Sequence, residues 1–465
     1  MSAPIIWIVV PLLFAIFLFF FRTNRSLSVY LGGGVSAFLA LLALTFKIES
    51  VFPLGPLPIE ISSTFSVLGR SFIIMDNERF ILAFMFAMGA FWIFGSKIAG
   101  TNQYFVPNVL AITSLLIAAL SVQPFLYAAL IIEIAVLISI PIFFQRGQPV
   151  KQGILRFLVF QTLAVPFILF SGWGFEAAPA SIDSQSTNFN SAILLAIGFG
   201  LWLAIFPFHS WLPLLAEDGH PYSAGFIFSM LSTTIFIFFL EFFNNYTWIR
   251  EQTGLFSIIM ILGTVMITLG GLFAAFQESI TRLFGYAVMV EIGFSLLALS
   301  INQEVGWSSY ILVLIPRVIS FAICALAISF WKNQNFDMNF QSFKGQIYKI
   351  PFSMVGFLAG WLTFCGLPLL PGFPTKLPIL LKISETSLGP IIFILGGLFG
   401  LFVASFRFLA TVFSLSPVSD DQPSEMITQK IFFALGTVVL ILMGLLPNYL
   451  LIPFLNIINA FKNLN

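Results

Sequence analysis

The feature that most constrains this chain is the recurrence, from Ile5 to Phe454, of apolar stretches about 20 residues long. Wound as an α-helix, each stretch matches the ~30 Å hydrocarbon core of a bilayer. Breaks at charges, Pro, Asn and Gly divide the chain into roughly fourteen such segments. They lie near 4–22, 27–48, 79–96, 104–121, 123–145, 153–173, 189–215, 222–244, 254–276, 279–300, 307–331, 351–382, 388–412 and 430–455. A polar loop with Arg70, Asp76 and Arg79 separates the second from the third. The expected fold is an all-α polytopic membrane protein. Only 8% of the 465 residues are charged, against about a quarter in soluble domains, so a soluble enzyme is excluded. The 20 basic residues are dispersed and balanced by 19 acidic ones. Nucleic-acid binding, which needs clustered cations to neutralise phosphates, is excluded as well.

Cys324 and Cys365 lie in apolar stretches without metal-binding or redox spacing and read as inert core thiols, and no cofactor is expected in this chain. The first apolar run has Arg22 and Arg25 after it rather than a basic leader before it, which predicts a retained membrane helix. Loops after odd-numbered segments carry eleven basic residues, from Arg22 and Arg25 through Lys97, Arg146, Lys151, Arg156, Arg282, Lys332, Lys344 and Lys349 to Lys430. The opposite side holds Lys47, Arg70, Arg79, Arg250 and Lys462, plus Lys376 and Lys382 inside a broken helix. The positive-inside bias places both termini away from the cytoplasm.

Two segments are interrupted alike. The seventh reads FGLWLAIFPFHSWLPLL, with Pro207, His209 and Pro213, and the twelfth reads FCGLPLLPGFPTKLPILL, with Gly366, Pro368, Pro371, Gly372, Pro374 and Lys376. Proline removes a backbone donor and clashes with the preceding turn. A broken helix survives in lipid only where protein or water satisfies the freed carbonyls. If segments four to eight and nine to thirteen are two five-helix units, both breaks fall on the fourth helix of a unit. Matching interruptions of this kind mark transporters built from internal repeats. The expected organisation is a three-helix segment over 1–103, a first repeat over 104–244, a second over 254–412 and a C-terminal helix over 413–465.

Ionisable residues inside spans are costly, which makes them candidate proton carriers. Glu133 lies roughly ten residues from either end of YAALIIEIAVLISIPIFF, where a carboxylate would be strongly desolvated; the alternative is a carboxylate satisfied by a hydroxyl or Arg of a neighbouring helix. Lys376 follows the Gly-Phe-Pro-Thr break, where unwound carbonyls or water can serve either protonation state, and the alternative for Lys376 and Lys382 is to snorkel to an interface. Arg317, after Pro316 in YILVLIPRVISFAICAL, keeps its proton and reads as a fixed counter-charge. Glu291 sits deep in QESITRLFGYAVMVEIGF, whereas Glu278 and Arg282, four apart, are expected to pair with each other. His209 lies within a break and either relays a proton or caps free carbonyls, and His220, beside Glu217 and Asp218, reads as a solvated turn. Arg407 either snorkels or closes the path towards a neighbouring subunit.

Three stretches in this order, FPFHSWLP (206–213), QESITRLFGYAVMVEIGF (277–294) and GLPLLPGFPTK (366–376), resemble the antiporter-like membrane subunits of respiratory complex I. That family is shared with Mrp-type sodium/proton antiporters and membrane-bound hydrogenases, and the resemblance runs from about Asp76 to Arg407. It implies a fourteen-helix core with two inverted five-helix repeats, each holding a broken helix. Glu133 then matches the family's fifth-helix glutamate and Lys376 its twelfth-helix lysine, while Arg317 stands where an eleventh-helix lysine is usual. The chain departs from the pattern at Trp202, where the family has its seventh-helix lysine, and at Thr233 or Thr234, where it has the eighth-helix lysine. Leu214, Leu215 and Ala216 replace an Asp-Ala-His, Thr281 and Arg282 a Lys-Arg pair, and Glu291 a His or polar residue. The twelfth-helix lysine and the short C-terminus resemble the smallest antiporter-like subunit of complex I or a hydrogenase equivalent.

The resemblance implies a proton-translocating subunit of a complex I-like NADH:quinone oxidoreductase, without redox chemistry of its own. Its partners would be other membrane subunits of a multisubunit redox complex, bilayer lipid and protons, with Na+ as the alternative ion. The expected location is a prokaryotic inner membrane. The rival readings are an Mrp-type cation/proton antiporter and a degenerate structural subunit that pumps nothing, the latter favoured by Trp202 and Thr234.

Overall fold

The computed structural model describes residues 2–54, 57–67, 69–144, 149–177, 184–250, 253–301, 304–414 and 424–461. Arg146 and Lys462, used above for orientation, lie outside the described residues. Among the described residues, ten helices are long and apolar enough to cross a membrane, and four shorter apolar helices accompany them. The chain divides into two compact units that interleave in sequence.

The first unit comprises residues 1–97, 101–211 and 230–242. A π-helical turn, Ile5–Val9, leads into α1 (Val10–Phe20), followed by α2 (Arg25–Thr45). The segment expected as a polar loop instead forms strands: β1 (Val51–Leu54) pairs antiparallel with β2 (Leu57–Glu60), and β3 (Thr64–Val67) with β4 (Arg70–Ile73). Alternating apolar and polar residues such as Thr64-Phe65-Ser66-Val67 fit a ribbon, whereas the helical period of the flanking spans stops here. Then come α3 (Arg79–Ala99), α4 (Phe105–Ser121), the short β5 (Val122–Gln123) on the edge of β4, α5 (Ala128–Phe143), α6 (Gln152–Ala177) and α7 (Ser184–Trp202). Pro141 interrupts the α5 ladder, and side-chain amides supply donors there: Asn108 to the Ile138 carbonyl, Asn102 to those of Pro141 and Phe144.

After the first break, α8 (Trp211–Asp218), α9 (Pro221–Asn245) and α10 (Thr247–Arg250) follow. The second unit comprises residues 98–100, 212–229 and 243–465. It holds α11 (Thr253–Phe276), α12 (Ile280–Ser300), α13 (Glu304–Asn333), α14 (Pro351–Cys365), α15 (Gly372–Thr386), α16 (Leu388–Phe413), α17 (Ile427–Leu445) and α18 (Pro447–Leu450), and ends in a 3-10 stretch, Ile452–Ala460. Helices α11 and α16 touch backbone to backbone, because a Cβ on Gly271 would strike the Gly397 carbonyl and one on Gly400 the Gly271 carbonyl. Small residues permit this approach where lipid offers no hydrophobic drive for association.

Several charged side chains finish helix ends. Arg407 donates to the carbonyls of Ala275 and Gln277 at the end of α11, with its guanidinium near the Phe340 ring. It therefore caps rather than snorkels. Glu425 accepts from the Phe352 and Ser353 amides at 3.2 and 2.7 Å, the complementary charge at the N-terminus of α14. Two local expectations fail. Arg282 pairs with Glu217 at 2.7 Å instead of with Glu278, which is exposed, and His220 is buried instead of solvated. In both cases the chain packs α8 residues against α12 or buries the α8–α9 turn, contacts that spacing within one helix does not encode.

Candidate functional site

The second break assembles the chemistry. Gly366 takes a left-handed conformation (φ 73°), Leu369 another (φ 80°), and the Leu367 amide bonds back to the Leu362 carbonyl, closing the end of α14. Glycine adopts that conformation without steric cost, so the chain stops here. Gly372 opens α15 against α14 so closely that a Cβ would collide with the Thr363 carbonyl. Lys376, on the first turns of α15, is thereby delivered to the end of α14 and donates to the Phe364 carbonyl at 2.7 Å. That carbonyl belongs to the last turn of α14, where the helix dipole is negative and intrahelical donors have run out.

Lys376 Nζ also stands 2.5 Å from Glu291 Oε1 on α12, with both side chains 4% exposed or less. The face of Phe294, three residues on, lies 4.6 Å from the ammonium. One turn beyond Glu291, the Ser295 hydroxyl accepts from Arg317 Nη1 of α13 at 2.7 Å and donates to the Glu291 carbonyl at 3.1 Å. Arg317 is itself 1% exposed. Three of the residues singled out from the sequence, Glu291, Arg317 and Lys376, thus fall in one buried polar cluster on α12, α13 and α15. Ser295 and the Phe364 carbonyl join it and were not anticipated. Ser295 was available from spacing, being four residues after Glu291 and so on its face; the carbonyl was not, since it depends on how two helix halves meet.

The other two candidates belong to the first unit. Glu133 is only half-buried, on a face of α5 where Leu130, Ile134 and Leu137 are exposed. Its Oε1 accepts from the Thr162 hydroxyl at 2.7 Å, a partner on the neighbouring helix of the kind weighed as the alternative. His209 sits in the 3-10 turn Phe208–Ser210, its ring stacked on Phe206 at 5.6 Å. At this first break Ala204 has φ 53°, and the amides of Leu203 and Ile205 bond back to Phe199 and Gly200. Trp202, Thr233 and Thr234 are buried. Lys382 pairs with Glu385 at 2.7 Å, with its side chain 33% exposed. No group of His, Cys, Asp and Glu suited to a metal ion occurs among the described residues.

Comparison with known proteins agrees with this architecture. A fragment of 260 residues is 26% identical to the NAD(P)H-quinone oxidoreductase chain 4 1 of Synechococcus sp. (strain JA-2-3B'a(2-13)), covering 52% of this chain and 48% of that one. Another 193 residues are 28% identical to the NADH-quinone oxidoreductase subunit N of Sulfurovum sp. (strain NBC37-1), covering 39% and 37%. The chain thus spans about half or less of these curated relatives. In three dimensions it superposes on a chain of the Mrp complex from Dietzia sp. DQ12-45-1b with TM-score 0.82 at 14% identity, covering 100% of this chain and 97% of that one. A chain of respiratory complex I from Thermus thermophilus gives TM-score 0.78 at 17% identity, covering 99% and 100%. At these identities the likeness is one of fold. The profile of the family described as NADH:quinone oxidoreductase/Mrp antiporter, transmembrane, matches residues 169–402, which hold the first break and the Glu291–Arg317–Lys376 cluster. Together with the run of apolar helices, this match makes the chain an integral multi-pass membrane protein that belongs to the NADH:quinone oxidoreductase/Mrp antiporter transmembrane family.

Proposed function

We propose that this chain is a proton-translocating, antiporter-like membrane subunit of a complex I-type quinone oxidoreductase, and that the proton is held at the Glu291–Lys376 pair. The observation that carries the reading is an ion pair buried beside a broken helix, with the lysine on the break itself. A static scaffold gains little from such a pair, since desolvating two charges offsets most of their attraction. A moving one gains control over a proton. At about 4 Å and an effective dielectric of ~20, two opposite unit charges interact by ~4 kcal/mol, roughly a thousandfold in a binding equilibrium. A redox-driven shift that draws the Glu291 carboxylate away from Lys376 Nζ removes stabilisation of that size from the ammonium and so favours transfer of its proton to water, while withdrawing the Phe364 carbonyl removes only the smaller contribution of one hydrogen bond. Closing the pair restores it. Arg317 never gives up its charge; through Ser295 it holds the turn of α12 that carries Glu291 and keeps a fixed positive field there.

The reading includes fourteen spans with two inverted repeats, α4–α9 and α11–α16, in which α7 with α8 and α14 with α15 each form one broken span. It also includes the four-part organisation over 1–103, 104–244, 254–412 and 413–465, both termini on the non-cytoplasmic side of a prokaryotic inner membrane, and partner subunits that carry the electrons. The names of the relatives support the complex I-type setting, since two of them are quinone oxidoreductase subunits. The test is redox-driven proton uptake by vesicles carrying the intact complex, at equal assembly. Lys376→Ala and Glu291→Gln are expected to lower the protons moved per electron. An unchanged ratio in both variants would sink the proposal.

A further inference from the structure

The two helix breaks are finished by different chemistry. At the second, the free carbonyl of Phe364 is capped by an ammonium that can release a proton. At the first, the carbonyl of Trp202, the last residue of α7, accepts from the Gln161 side-chain amide at 3.2 Å, and the Trp202 indole donates to the Gln161 backbone carbonyl at 3.1 Å. Neither an indole nor a carboxamide changes protonation near neutrality. The pair is closed from solvent, Gln161 being 0% and Trp202 1% exposed. Phe199 and Phe238 stand against the indole, with ring centroids at 5.9 and 6.1 Å. Next to Gln161 on α6, Phe160 meets Phe208 just past the break at 6.1 Å.

We infer that Gln161 and Trp202 form a proton-tight seal across the first broken helix. A proton crosses a membrane protein along titratable groups or water, and at the end of α7 an indole and a carboxamide, each bonded to the other residue's backbone carbonyl and packed among rings, stand where a titratable pair would be needed. An unpaired charge placed there would meet a low dielectric without a counter-ion, a cost of several kcal/mol. The helix end stays satisfied all the same, because Gln161 supplies the donor that the broken ladder lacks. The consequence that the subunit carries protons through its second break alone rests on the function proposed above; the seal does not.

The test is passive proton leak. Vesicles carrying the full complex, loaded with a pH-sensitive dye, receive an acid pulse without electron donor. Trp202→Ala, which empties the packed site, is expected to raise the leak severalfold at equal assembly, and Trp202→Phe, which keeps a ring there, to stay near the native rate. A native leak rate in assembled Trp202→Ala overturns the inference. Should that variant fail to assemble, hydrogen–deuterium exchange on the native complex decides. The Leu203 and Ile205 amides, bonded back to Phe199 and Gly200 at the end of α7 at 2.9 and 2.8 Å, are expected to stay protected at rest and during turnover, and exchange that accelerates with turnover overturns the seal. Neither readout involves Lys376. A null result with both Lys376→Ala and Glu291→Gln would therefore remove the pump and leave the seal, while a native leak rate in Trp202→Ala would remove the seal and leave the pump.

Discussion

Lys376 and Glu291 are each other's partner, and removing one leaves the other charged in a buried site. Lys376→Met alone is expected to destabilise the protein by about 3–5 kcal/mol, and Glu291→Leu alone by a similar amount, since an uncompensated buried charge costs that much. The double variant should recover most of the loss, because apolar residues of similar volume replace a buried pair at little cost. Thermal unfolding of the detergent-solubilised protein checks this; additive losses would mean that the two groups do not depend on each other. Ser295 has a subtler role. Ser295→Ala withdraws the hydroxyl from Arg317 Nη1 and from the Glu291 carbonyl. It should cost about 1.5–3 kcal/mol, the usual contribution of a hydrogen bond to a charged group.

At the scale of elements, the breaks depend on how tightly helix halves and neighbours approach. Gly397 lies against the Ile267 carbonyl, and Gly271 against Gly397. Gly397→Val is expected to separate α11 from α16 and destabilise by about 1–3 kcal/mol or more, the usual cost of overpacking. The matched Gly396→Val, whose Cβ would enter open space, should be almost neutral, and equal stability of the two variants would contradict the contact. The carboxylate of Glu425 holds the N-terminal end of α14, whose other end receives Lys376. Glu425→Gln weakens a charge-assisted cap and should cost about 0.5–2 kcal/mol. If α14 transmits motion between its ends, the same variant also lowers the protons moved per electron.

For the whole molecule, the distribution of basic residues predicts which loops meet the cytoplasm. Cys324 and Cys365 are buried, so cysteines introduced at exposed positions report sidedness against a silent background. Lys344→Cys, between α13 and α14, is expected to react with a membrane-impermeant maleimide from the cytoplasmic face only, and Glu304→Cys, at the start of α13, from the opposite face only. Both residues are exposed. The reverse pattern would invert the orientation.

The sequence by itself determined that the chain is helical and lives in a bilayer, because the length and polarity of each stretch are local properties set by hydrocarbon thickness. It also showed where helices break, since Pro and Gly act on their own turn, and which ionisable residues lie in spans. Only the tertiary structure decided which of them meet. Glu291, Arg317 and Lys376 come from three helices and converge because Gly366 and Gly372 bring the end of α14 and the start of α15 together. Glu133, equally central in its apolar stretch, is half-buried on α5 and finds a hydroxyl instead of a charge. Arg282 passes over Glu278 on its own helix for Glu217 on α8. The strands β1–β4 depend on pairing between segments, and the Gln161–Trp202 cap on α6 meeting the end of α7. Local chemistry sets what each segment can be; partners far apart in sequence are chosen only once packing fixes the distances between them.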